Sequence, residues 1–174
     1  MKAGRLIGVV AVLGALAAAP VPKHLLPKEE PFLFPTSVGT TWVYEMGDKS
    51  TITVVLAKVE DEKDGQRLVL EEEVANGPRK HYMTYSLRPT GLFLVAENGR
   101  PHEGSLCVLK FPPKAGDIWE FAPGQRQTHG PERVQAGFGK VEAFRVEWEL
   151  RPGDTATYWF ASGMGLVRRE TNPG

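Results

Sequence analysis

Between Gly139 and Leu150 the chain reads GKVEAFRVEWEL, and Phe144, Val146, Trp148 and Leu150 alternate with Arg145, Glu147 and Glu149. A period of two puts the apolar set on one face of an extended strand and the charged set on the other. Shorter stretches of the same kind recur about every ten residues. Thr51–Val59 is rich in β-branched residues, and Leu68, Leu70 and Val74 follow a turn at Asp61–Gly65. Lys80–Leu87, Leu92–Ala96, Ser105–Phe111, Thr155–Ala161 and Leu166–Glu170 follow in turn, separated by Arg88-Pro89-Thr90-Gly91, Asn98-Gly99, Arg151-Pro152-Gly153-Asp154 and Ser162-Gly163-Met164-Gly165. Nineteen glycines and fourteen prolines punctuate the chain, and past residue 19 no stretch of ten residues carries a helical period. The pattern predicts an all-β, single-domain fold over residues 34–171, an antiparallel sandwich or partly open barrel. A short helix over one end is compatible with it. The polar stretch Gly124–Gly130 reads as a loop or an exposed edge strand. Glu72 would share a face with Leu70 and Val74, and a solvated strand edge accommodates it.

One motif is written twice. Phe34–Trp42 reads FPTSVGTTW and Phe111–Trp119 reads FPPKAGDIW, so Phe, Pro, Gly and Trp recur at the same places 77 residues apart. Proline biases the preceding Phe toward extended backbone. The glycine allows a positive φ and hence a tight turn. The Trp and the aromatic two residues on, Tyr44 or Phe121, then share one strand face. Two readings stand: the turn starts a strand and its Trp plugs the core, or the aromatics line a cleft for a sugar or a lipid. On the second reading Trp42, Tyr44, Trp119 and Trp159 are the candidate ligand-binding residues. The repeat suggests two halves, about 34–110 and 111–171.

Pro35–Tyr44, P-x-x-x-G-x-x-W-x-Y, and Tyr158–Glu170, Y-W-F-A-x-G-x-G-L-V-x-x-E, cover about a seventh of the chain. In these two motifs the sequence resembles a group of small exported bacterial β-rich proteins. The resemblance implies an exported β-rich domain. It brings no activity and no catalytic residue with it.

Residues 1–19 have the make-up of a secretory signal peptide: Lys2 and Arg5, the apolar run Leu6–Leu16, then Ala17-Ala18-Ala19 before Pro20. The run falls short of the roughly 20 apolar residues that span a bilayer. The expectation is export to the periplasm or beyond the cell, followed by a proline-rich tether over residues 20–33. Basic and acidic residues number 21 each, which argues against a nucleic-acid partner. Without residues 1–19 the basic count drops to 19, slightly to the acidic side.

The chemistry-bearing residues are sparse. Cys107 is the only cysteine, sits in the apolar run Leu106–Leu109, and reads as an inert buried thiol. His24, His81, His102 and His129 lie in separate segments without metal-ligand spacing, so no metal or cofactor is expected. Ser37 and Ser162 lie outside any G-x-S-x-G. The expected function is therefore a non-enzymatic exported domain that binds an apolar ligand or an envelope component, with a lipid or an envelope protein as partner. A structural or protein-interaction module is the alternative. An envelope-polymer hydrolase is the weakest reading, because no catalytic set is visible.

Overall fold

The computed structural model describes residues 33–120 and 124–172. The proposed signal peptide, the tether as far as residue 32, and Phe121 lie outside the described residues.

All the regular structure described is β. β1 (Thr41–Glu45), β2 (Thr51–Glu62), β3 (Gly65–Glu72), β4 (Lys80–Arg88), β5 (Gly91–Glu97) and β6 (Arg100–Lys110) form one antiparallel sheet in that spatial order. β7 (Ile118–Glu120), β8 (Gln125–Ala136), β9 (Gly139–Arg151), β10 (Asp154–Ala161) and β11 (Gly165–Asn172) form the second, in the order β11-β10-β9-β8-β7. Every strand pairs with its neighbours in sequence. The chain is thus a single meander cut at two seams, between β6 and β7 and between β11 and β1. It is a sandwich and does not close into a barrel. The chain leaves the first sheet after Lys110, where the repeat divides the sequence.

Alternation builds the core. Val54, Leu56, Leu68, Leu70, Leu92 and Leu109 from the first sheet meet Trp119, Val146 and Phe160 from the second. β10 shows the rule plainly: Tyr158 and Phe160 pack toward this core, while Trp159 between them faces the opposite side of the sheet.

Two expectations need correction. Gly124–Gly130 is neither loop nor edge, because most of it lies in β8, between β7 and β9. Its polar side chains concealed the strand: Arg126 is 2% exposed and Thr128 is fully buried. No helix covers either end among the described residues. Glu72 keeps the face of Leu70 and pairs with Val54, and it is half-buried as the last residue of β3. Glu73, just beyond, forms an ion pair with Arg79 at 2.9 Å.

Candidate functional site

The two copies of the doubled motif match bond for bond. In the first, Thr40 N–H donates to Ser37 O at 3.0 Å, Gly39 N–H to Leu56 O at 2.9 Å, and Leu56 N–H to Thr40 O at 2.8 Å. In the second, Asp117 N–H donates to Lys114 O at 3.2 Å, Gly116 N–H to Thr128 O at 2.8 Å, and Thr128 N–H to Asp117 O at 2.9 Å. Gly39 has φ +90° and Gly116 φ +88°, a region that favours glycine. Each turn starts the edge strand of one sheet, β1 or β7.

Each Trp then reaches across to the other sheet. Trp42 Nε1 donates to Met164 O at 2.7 Å, between β10 and β11, and Tyr44 Oη donates to Leu166 O at 3.1 Å. Trp119 Nε1 donates to Cys107 O of β6 at 3.1 Å. The two open seams are therefore closed by indole N–H groups on backbone carbonyls, where a barrel would use ladder bonds. Each such bond joins the two sheets and gives a backbone carbonyl a donor.

At the β1 seam the start and end motifs form one joint. Gly163 N–H donates to Leu33 O at 2.6 Å, and Leu33 N–H to Ser162 Oγ at 3.0 Å. Phe34 lies against Gly165, where a Cβ would stand 3.2 Å from the ring, and its own ring tilts against Tyr85 at 6.2 Å. Phe34, Trp42, Tyr44, Tyr82, Tyr85 and Phe160 surround a void of about 10 Å³. That is room for one water at most. Burial pushes the Tyr44 and Tyr85 hydroxyls well above the usual tyrosine range, helped by the neighbouring tyrosines.

The β6–β7 seam is more polar. Arg126 Nη1 donates to the same Cys107 carbonyl, and its guanidinium lies over the Trp148 ring at 4.2 Å. Desolvation lowers the Arg126 pKa to about 10. Burial raises the Cys107 thiol, which is the wrong direction for a nucleophile.

The four candidate residues therefore do not converge. Trp42 and Tyr44 share the β1 seam, and Trp119 closes the other seam. Trp159, 6% exposed, belongs to a second small core on the outer face of its sheet, with Val134, Ala143 and Ala161. Its Nε1 donates to Glu132 Oε1 at 2.6 Å, and Arg168 covers its ring at 4.9 Å. Arg145 lies 3.6 Å from Glu132 and also pairs with Glu147, which His129 Nε2 meets at 2.9 Å. Partly exposed ion pairs of this kind contribute at most about 1 kcal/mol each. The group cements a surface.

Among the described residues, no three or more His, Cys, Asp or Glu side chains gather as a metal site. Among the described residues no helix is long and apolar enough to cross a membrane. His81 Nδ1 accepts the Gly99 N–H at 2.8 Å, so its proton sits on Nε2, facing Thr84 Oγ1 at 2.7 Å. This fastens the β5–β6 turn, beside an open polar hollow of about 450 Å³ lined by Glu97, Asn98, Arg100, Pro101 and His102.

The feature that sequence reasoning passed over is the outside of β1. Trp42 and Tyr44 point in, so Thr41, Val43 and Glu45 point out, and Val43 is 65% exposed. The large exposed apolar side chains described are Leu33, Val38, Val43, Met46, Ile118, Phe138 and Met164. Five of them lie on β1, in the segments flanking it, or in the β10–β11 turn that Trp42 grips. The signal was present in the alternation of Trp42, Val43 and Tyr44. Comparison with protein-family models, with curated proteins and with solved structures finds no match to this chain.

Proposed function

We propose that this chain is an exported β domain that works as a protein-interaction module, presenting the flank around β1 to a partner in the envelope or outside the cell. The observation that carries this reading is that five of the seven large exposed apolar side chains described lie on β1, in the segments flanking it or in the β10–β11 turn. Exposed apolar surface concentrated in one place is characteristic of contact sites. The interior favours the same reading over a lipid-carrying one. The void beside Trp42 and Tyr44 measures about 10 Å³, so an acyl chain would enter only if the sheets parted. Export rests on the leader-like residues 1–19.

A photo-crosslinking amino acid at position 43, compared with one at position 138, tests the proposal in cells of the protein's source. Phe138 is 71% exposed and sits at the far β8–β9 turn. The expected result is a discrete protein adduct from position 43 and none from position 138. Equal labelling at both positions, or one lipid per chain retained in native mass spectrometry, overturns the reading.

A further inference from the structure

The hydrogen bonds flanking β1 fix which of its backbone groups are in use. Leu56 N–H donates to Thr40 O at 2.8 Å, and Met46 N–H donates to Ser50 O at 2.8 Å. Both are even-numbered positions facing β2. In an antiparallel pair the bonded positions alternate, so Trp42 and Tyr44 also bond to β2. The N–H and C=O groups of Thr41, Val43 and Glu45 then point away from the sheet, along its outer edge.

The other edges are guarded against further pairing. β11 carries Arg168, Arg169 and Glu170 and a register shift, β6 carries Pro101 and two register shifts, and β7 has only three residues. Charge, proline, bulges and shortness are the usual protections of an edge strand. β1 has an unbroken register, and Thr41–Tyr44 holds neither charge nor proline.

We propose that β1 pairs antiparallel, edge to edge, with β1 of a second copy of this chain, about a twofold axis through Val43. The proposal rests on reading the β1 flank as an interaction surface. The sequence Thr41–Glu45 is self-complementary about its centre. A twofold at Val43 sets Val43 against itself, Thr41 against Glu45, and Trp42 against Tyr44. Apolar meets apolar at the middle of the outer face, and no like charges stand opposite. Glu45 already holds Lys49 at 2.7 Å, so its charge is balanced within its own chain. Symmetry supplies each match twice, as an isologous contact requires. Thr41, Val43 and Glu45 each gain main-chain bonds from the mate, and two six-stranded sheets join into one. Such a contact is narrow, so the association is reversible.

Cysteine crosslinking tests the axis. In a Cys107→Ala background, Val43→Cys places the two thiols directly opposite. The Cα atoms of a bonded antiparallel pair lie about 5.5 Å apart, within disulfide reach. Oxidation should give a covalent dimer from Val43→Cys alone. Thr41→Cys should crosslink only when mixed with Glu45→Cys. Without cysteines, the mass by light scattering should rise from monomer to dimer with concentration. Val43→Pro removes an outward N–H that β2 does not use, and should weaken the dimer by about thirtyfold, the weight of the two bonds at that pair. Val43→Lys, which sets two cations opposite each other, provides a second variant, and near-ultraviolet circular dichroism checks that both fold. A monomer at every concentration with no Val43→Cys dimer overturns the second copy as occupant. If position 43 still gives its photo-adduct with a different protein, the interaction-surface reading survives that failure. If it gives none, both fall.

Discussion

Alanine at Gly39 and at Gly116, one at a time, tests whether the repeated motif is a repeated structure. The two backbones sit at φ +90° and +88°, and a Cβ built at either position meets no atom within 4 Å. Steric conflict therefore adds nothing, and the whole cost is that of holding an L-residue at positive φ. That cost is about 1–2 kcal/mol. Alanine also narrows the unfolded ensemble, which returns a few tenths of it. The net expectation is a loss of about 1 kcal/mol at each site. The two losses should agree to within about 0.3 kcal/mol and add in the double variant to within about 0.5 kcal/mol. Urea unfolding followed by tryptophan fluorescence measures this. In a domain of about 150 residues, each substitution should lower Tm by roughly 2–4 °C. If one substitution costs the full amount and the other nothing, the motifs are alike in letters only. If both are neutral, the chain is not held at positive φ in either turn.

Trp42→Phe and Trp119→Phe each remove one seam bond, while water can reach the Met164 carbonyl and Arg126 still donates to that of Cys107, so each should cost about 0.5–1.5 kcal/mol in the same unfolding assay. A neutral result at either position would mean that the bond does not close its seam. Alkaline conditions should unfold the protein through its buried tyrosines. Their folded pKa values lie above the unfolded value of about 10, so the folded state binds more protons at high pH. Stability is then fully present below about pH 10 and is lost as pH rises beyond it. Absorbance at the phenolate band should change together with the unfolding signal. Titration of Tyr44 and Tyr85 in a still-folded protein would contradict their burial.

The fold class was legible because period-2 alternation and turn residues are local signals that the core rewards directly. Phe144, Val146 and Trp148 alternate in sequence, and Val146 and Trp148 pack in the core as expected. The turn chemistry of the doubled motif was legible too, since glycine at a fixed place implies a backbone and nothing more distant. Arg126 defeated the reading because a buried cation is stabilised by groups from elsewhere, here the Trp148 ring and the Cys107 carbonyl. Trp159 defeated it differently. The strand pattern placed it opposite Tyr158 and Phe160, but only the tertiary neighbours Glu132 and Arg168 account for the burial of an indole on the outer face. Whether the aromatics surround a space or fill it depends on the distance between two sheets, which no local pattern encodes.

Amide hydrogen exchange along β1, followed residue by residue at low and at high protein concentration, bears most directly on the claim that the protein acts through this edge. The account predicts slow exchange at Trp42 and Tyr44 at both concentrations. Thr41, Val43 and Glu45 should exchange fast when dilute and become protected when concentrated. Protection of Thr41, Val43 and Glu45 at every dilution would mean that the edge is already occupied within the chain, and fast exchange at every concentration would mean that no second copy covers it.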